Sequence, residues 1–154
     1  MQVKQKVILL DVECWPDRFV RVIPIKELAS FDKMNPVTEN FPNVLKEMPK
    51  ASLHPICFEV RDDENDMHAR HFSSPYSGTI EDAVTGTASG VMGAYYKTFV
   101  NKGTRLPKTL IVEQGHEINI DGRVYVHVKG EQEPLDISIS GTAVYVKNIV
   151  VEIE

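Results

Sequence analysis

The sequence predicts an α+β fold in which a curved, mainly antiparallel, barrel-like sheet wraps around one central buried helix. Three observations lead there. From residue 110 onward the chain is a succession of short stretches rich in β-branched residues. One long segment, 86–100, has no charged side chain before Lys97, so as a helix it offers water no polar face and belongs inside. Strands and helices do not alternate regularly along the chain, which favours α+β over a parallel α/β sheet.

Taken in order, residues 7–12 and 18–25 read as strands, with Trp15-Pro16-Asp17 as the break between them. Pro24 ends the second strand or marks an edge, because proline donates nothing to a ladder. Residues 26–34 and 40–48 are expected as short helices, stopped by Pro36 and Pro49. A strand is expected over 54–61 with Ile56, Phe58 and Val60 on one face. An acidic turn over 62–66 follows it, then extended chain over 68–72 and a loop over 73–78. The long helix covers 86–100; Gly90 and Gly93 inside it cost together about 2 kcal/mol relative to alanine. Packing must hold such a helix, and both glycines allow strands to approach its backbone. Further strands are expected over 110–114, 123–128, 135–140, 143–146 and 149–153. Val124, Val126 and Val128 alternate with Tyr125 and His127, the half-buried pattern, and Asp121-Gly122 supplies a hairpin turn. No repeat or linker divides the chain, so 1–154 reads as a single domain.

The bulk numbers agree. At 154 residues the chain can bury a real core, and 42% hydrophobic with 25% charged residues is ordinary for a globular protein. A net charge of −5 with no basic block argues against nucleic-acid binding. No stretch approaches transmembrane length, so no membrane partner is expected. Cys14 and Cys57 are too few for a disulfide framework, which points to free thiols in a reducing cytoplasm.

The segment before the long helix carries the functional signal. Thr85 is a candidate N-cap, leaving the N–H groups of Gly86, Thr87 and Ala88 unpaired by the helix itself. A helix N-terminus attracts an anion by about 0.3–1 kcal/mol, and up to about 2 when partly buried, so a carboxylate or phosphate suits it. Thr87 adds a hydroxyl, and Asp82 supplies an acceptor or a proton carrier nearby. The plainer reading is that Asp82 or Thr85 merely caps the helix.

The order of four stretches sharpens this. They are Arg70-His71-Phe72, the run Gly78-Thr79-Ile80-Glu81-Asp82-Ala83-Val84-Thr85-Gly86-Thr87-Ala88, Val112-Glu113-Gln114-Gly115, and Ile139-Ser140-Gly141-Thr142-Ala143-Val144. From about residue 18 to its end the chain resembles the PhzF-like isomerases of the phenazine-biosynthesis type, relatives of diaminopimelate epimerase. The resemblance implies a diaminopimelate epimerase-like fold, with 1–154 equivalent to the C-terminal domain of a two-domain protein. It implies half of an active site: Asp82 and Thr87 as catalytic residues, and Thr85, Gly86, Thr87 and Ala88 around the carboxylate of a small metabolite. The implied reaction is a proton shift next to that carboxylate, without cofactor. The family's proton-moving glutamate belongs to the other domain and has no counterpart here, and Ala83 stands where the family has proline. A missing N-terminal-domain partner or a homodimer would complete the site. The alternative is a non-catalytic, truncated or degenerate carboxylate-binding domain.

Other candidates are weaker. His68 and His71 are three apart in extended chain and point to opposite faces, and His54, His116 and His127 lack a ligand cluster at usable spacing, so no metal site is expected. His71 is either cleft-lining or a solvent-facing strand residue. Cys57 reads as a small buried residue rather than a nucleophile.

Overall fold

Nine strands form one mixed sheet in the computed structural model, which describes residues 10–15, 18–101, 103, 105–130, 135–148 and 150, with the backbone alone over the part before residue 20. β1 (Leu10–Trp15) and β2 (Arg18–Pro24) pair antiparallel. The part of the first expected strand before Leu10 lies outside the described residues. β2 runs parallel to β3 (Ser52–Cys57), and parallel neighbours need a crossover. That crossover is built from 3-10 turns at Leu28–Lys33 and Thr38–Asn40 and one helical turn, α1 (Phe41–Val44). The helices expected over 26–34 and 40–48 are thereby reduced to a short 3-10 stretch and a single α turn. Turns this short have no stability of their own and are held by docking Phe31, Phe41 and Leu45 as buried anchors.

β3 stops at Cys57, four residues short of the expected end, and Phe58 is already exposed. β4 (Met67–Ala69) and β5 (His71–Phe72) both pair antiparallel with β3. Pro55 sits where β4 hands over to β5, and its carbonyl accepts the Arg70 N–H at 3.1 Å. A proline is tolerated in this inner strand because its missing donor falls at that break. β6 (Glu81–Asp82) extends β5, and β7 (Lys108–Gln114) lies parallel to β4. β8 (Gly122–Lys129) and β9 (Asp136–Gly141) complete the sheet antiparallel to β7.

The long helix begins where expected but is shorter: α2 (Gly86–Tyr95) passes into a π turn at Tyr96–Val100. α2 lies against β8 and β9 and also against β1 and β2. Two ends of one sheet therefore meet the same helix, so the sheet is curled into a half-barrel around it. The core is the space between them: Val22, Ile56, Met67, Ala69, Met92, Tyr95, Leu110, Val112, Val124, Val126 and Val128. The alternation of Val124, Val126 and Val128 inward is as expected. A Cβ on Gly93 would stand 2.7 Å from Val126 and 2.9 Å from Val128, so glycine at that position sets how closely the helix meets β8. A half-barrel leaves one side open. Ala88, Ser89, Met92, Gly93 and Tyr95 are buried, but Gly90, Val91 and Ala94 are half-buried and Thr87 is exposed.

Two further expectations change. The β7–β8 connection spans 115–121, with positive φ at Gly115 (91°) and Asn119 (59°), while Gly122 is already paired with Gln114. The turn is thus wider than an Asp121-Gly122 hairpin. Residues 143–146 form no strand; Val144, Tyr145 and Val146 are 87%, 75% and 82% exposed. The strand expected over 149–153 falls almost wholly outside the described residues. No helix among the described residues is long and apolar enough to cross a membrane.

Candidate functional site

Asp82 ends β6, opposite His71 of β5, and the chain then turns through Ala83 and Val84 into α2. Gln114, fully buried at the end of β7, shapes this turn. Its Nε2 donates to the Asp82 carbonyl at 2.7 Å and to Thr85 Oγ1 at 3.2 Å. Thr85 in turn donates its hydroxyl to Asp82 Oδ2 at 2.6 Å. Gly115 completes the device: at its positive φ, a Cβ would approach the Ala83 carbonyl to 2.7 Å. The Gln114-Gly115 pair thus holds the Asp82 loop from below. Its remaining oxygen, Gln114 Oε1, is buried without a hydrogen-bond partner among the described residues.

Thr85 occupies the N-cap position in extended conformation, and its carbonyl accepts the Ser89 N–H at 3.2 Å and hydroxyl at 2.7 Å. Its own hydroxyl does not cap the helix, being committed to Asp82. The N–H groups of Gly86 and Thr87 accordingly find no acceptor among the described residues. Gly86 is half-buried, Thr87 exposed and Ala88 fully buried, so the amides open at this end are those of Gly86 and Thr87, with Ala88 beneath them. Asp82 is exposed beside them.

Arg70 anchors the strand that carries Asp82. The residue is 5% exposed, and its guanidinium grips Glu81 through Nε (2.8 Å) and Nη2 (2.6 Å) and donates from Nη1 to the carbonyls of Phe31 (2.8 Å) and Met34 (3.0 Å). The bidentate pair fixes β6 and ties it to the crossover. On the helix-facing side, His54 Nδ1 lies 3.2 Å from His71 Nδ1. Burial pushes the pKa of both imidazoles down: His54 well below its ordinary value, with His71 adding to the effect, and His71 to about 4 against the opposing charge of Asp82.

A second cluster lies on the opposite face, where the sequence offered no local sign of it. Glu113, fully buried, accepts from the backbone N–H groups of Arg61 (2.6 Å) and Asp62 (3.2 Å), from Asn65 Nδ2 (2.6 Å) and from His68 Nδ1 (2.8 Å). His68 Nε2 meets Glu117 Oε1 at 2.9 Å, and Arg61 reaches the same oxygen at 2.7 Å. Burial alone would raise both carboxyl pKa values, yet these donors outweigh it, holding Glu113 below its ordinary value and Glu117 down at about 2. His68, Glu113 and His116 each bring a potential metal-ligand atom within 4.8 Å of the others. His116 thus joins a carboxylate and a second histidine, a grouping its sequence spacing does not reveal, while four donors already occupy the acceptor positions of Glu113. As expected from their spacing, His68 and His71 serve different clusters. Cys57 is buried and free, its thiol pKa raised by burial, unlike an activated nucleophile.

Comparison with known proteins defines the class of this domain. Residues 17–148 match the model of the phenazine biosynthesis-like protein family, and the chain belongs to that family. It is 47% identical over 132 residues to the uncharacterized isomerase YfhB of Bacillus subtilis, covering 86% of this chain and 44% of that protein. It is 32% identical to the uncharacterized isomerase YddE of Escherichia coli K12, covering 80% and 41%. The crystal structure of the Bacillus anthracis phenazine biosynthesis protein of the PhzF family superposes with a TM-score of 0.79 at 57% identity, over 84% of this chain and 44% of that one. The chain thus spans less than half the length of these relatives.

Proposed function

We propose that the chain carries the carboxylate-holding half of a PhzF-like isomerase site, equivalent to the C-terminal domain of its longer relatives. In this reading the amides of Gly86 and Thr87, with the Thr87 hydroxyl, hold the carboxylate of a small metabolite. Asp82, oriented by Thr85, assists a cofactor-independent proton shift at the neighbouring carbon. One observation carries it: two helix-end amides without internal acceptors stand open beside an exposed, oriented carboxylate. Fixed donors aimed at an anion cost nothing to reorganise when negative charge develops on it. A proton shift also needs a base near working pH, which in the related family comes from the other half. A second copy of this chain or a longer partner supplies that half.

The test is a titration of the ¹⁵N-labelled chain with acetate and with sulfate, followed by amide NMR. The expected outcome is saturable shifts at Gly86 and Thr87 that weaken in Thr87→Val, with Asp82→Asn still folded. Absence of shifts there in every oligomeric state rejects the assignment. The alternative, a carboxylate-binding domain without turnover, draws on the short coverage of the relatives. It predicts the same shifts but no deuterium exchange at carbon in any carboxylate tested, with or without a complementary half.

A further inference from the structure

His54 and His71 hold no role in the reading above, yet they lie against it. His54 Nε2 is 3.1 Å from Met92 Sδ of α2, and His54 Nδ1 is 3.2 Å from His71 Nδ1. Two ring nitrogens at that separation share one hydrogen, so one donates and the other accepts. Met92 decides which. A thioether sulfur accepts but cannot donate, so His54 places its hydrogen on Nε2 and, as a neutral ring, accepts on Nδ1. His71 therefore donates from Nδ1, and its Nε2 bears the lone pair. No hydrogen bond from that nitrogen is found among the described residues, and His71 as a residue is 8% exposed. His71 and Asp82 are direct partners across β5 and β6, and opposed residues of an antiparallel pair project to the same face. Burial keeps both rings neutral at neutral pH.

We propose that His71 is a further ligand-contacting residue of the Asp82 site, an imidazole locked by His54 and Met92 whose Nε2 lone pair accepts a hydrogen bond from a donor on the bound molecule. This rests on the reading of the helix end as a carboxylate site. It adds a second acceptor beside Asp82, so the loop recognises a donor group near the carboxylate as well as the carboxylate itself.

The tautomers can be read directly by long-range ¹H–¹⁵N correlation in the full chain. Hydrogen on Nδ1 of His71 and Nε2 of His54 is expected; hydrogen on Nε2 of His71 overturns the proposal. Acetate and glycolate then serve as probes differing by one hydroxyl. Both should shift the Gly86 and Thr87 amides, but glycolate alone should move the His71 Nε2 resonance and bind roughly 3- to 10-fold tighter, the effect of one hydrogen bond. His71→Phe should erase that preference while acetate binding persists. Met92→Leu, which touches no ligand and conserves volume, should mix the tautomers and weaken the preference. Equal binding of the two probes, or a preference that survives His71→Phe, overturns the role of His71 and leaves the carboxylate reading standing. If neither probe shifts the amides, the carboxylate reading falls and this proposal with it.

Discussion

Arg70 spends every arm of its guanidinium on internal partners, and through Glu81 it fixes the strand that carries Asp82. Glu81 and Arg70 are both nearly buried as side chains, so removing the cation leaves a carboxylate without water or counter-charge. Such a loss costs about 3–5 kcal/mol. Arg70→Ala is expected to lose that much in urea unfolding, and a loss below about 1 kcal/mol would mean the pair behaves as a surface contact. The buried imidazoles give a second expectation. His71 titrates near 4 when folded and near 6.5 when unfolded, so between those values the unfolded chain binds the extra proton. Stability is therefore complete above pH 6.5 and falls on acidification toward 4, by about 3 kcal/mol from this group. His54 adds in the same direction, and Glu117, lowered to about 2 from 4.5, extends the loss to still lower pH. Unfolding free energy measured across this range should show the slope, and His71→Asn should flatten its upper part. A wild-type profile level from neutrality down to pH 4 would contradict the buried, neutral state of these rings.

The elements divide by how their signals are encoded. β8 was legible because a half-buried strand writes period-two alternation into adjacent residues, and β2 and β7 because β-branched residues cluster in them. The start of α2 was legible because Thr85 and the glycines following it are local signals. Its end at Tyr95 was not, since the π turn keeps the same uncharged composition. The crossover turns went unrecognised because they depend on where Phe31 and Phe41 dock. The network around Glu113 joins residues 45 to 56 positions apart, and no window of sequence reports such contacts. In the candidate site, Asp82, Thr85, Gly86 and Thr87 are neighbours in sequence and can be grouped from it, whereas Gln114, Arg70 and His54 arrive from other strands. α2 also permits a paired prediction. Gly93→Ala forces a methyl into Val126 and Val128 at 2.7 and 2.9 Å and should cost about 1–3 kcal/mol. Gly90→Ala meets only Ile139 at 3.6 Å and Ile137 at 4.0 Å, so helix propensity should dominate and stabilise by about 0.5–1 kcal/mol. Thermal melts of the two variants moving in the same direction would refute this picture of the helix–sheet contact.

The half-barrel leaves α2 partly open beside the candidate site. Val91 and Ala94 of α2 are half-buried, Thr87 is exposed, and Val144, Tyr145 and Val146 keep most of their surface in water. A folded surface rarely leaves so apolar a run uncovered. The relatives, nearly twice as long, carry further chain that could cover it. A second copy of this chain can do the same, because a two-fold pair buries equivalent surfaces on both partners. Light scattering at tens of micromolar is therefore expected to give a dimer, and Val144→Lys with Val146→Lys is expected to give a monomer. Since these side chains touch little within the chain, the double variant should keep its intrinsic fold, changing circular dichroism little and shifting stability by only about 0.5 kcal/mol beyond the lost association. The carboxylate probes then separate assembly from chemistry: amide shifts at Gly86 and Thr87 that vanish in the monomer mean the partner helps build the site. Shifts that survive mean α2 binds the anion alone and the partner supplies only the base. A wild-type chain that stays monomeric when concentrated, with its apolar segment still exposed, rules out self-pairing as the way the site is completed.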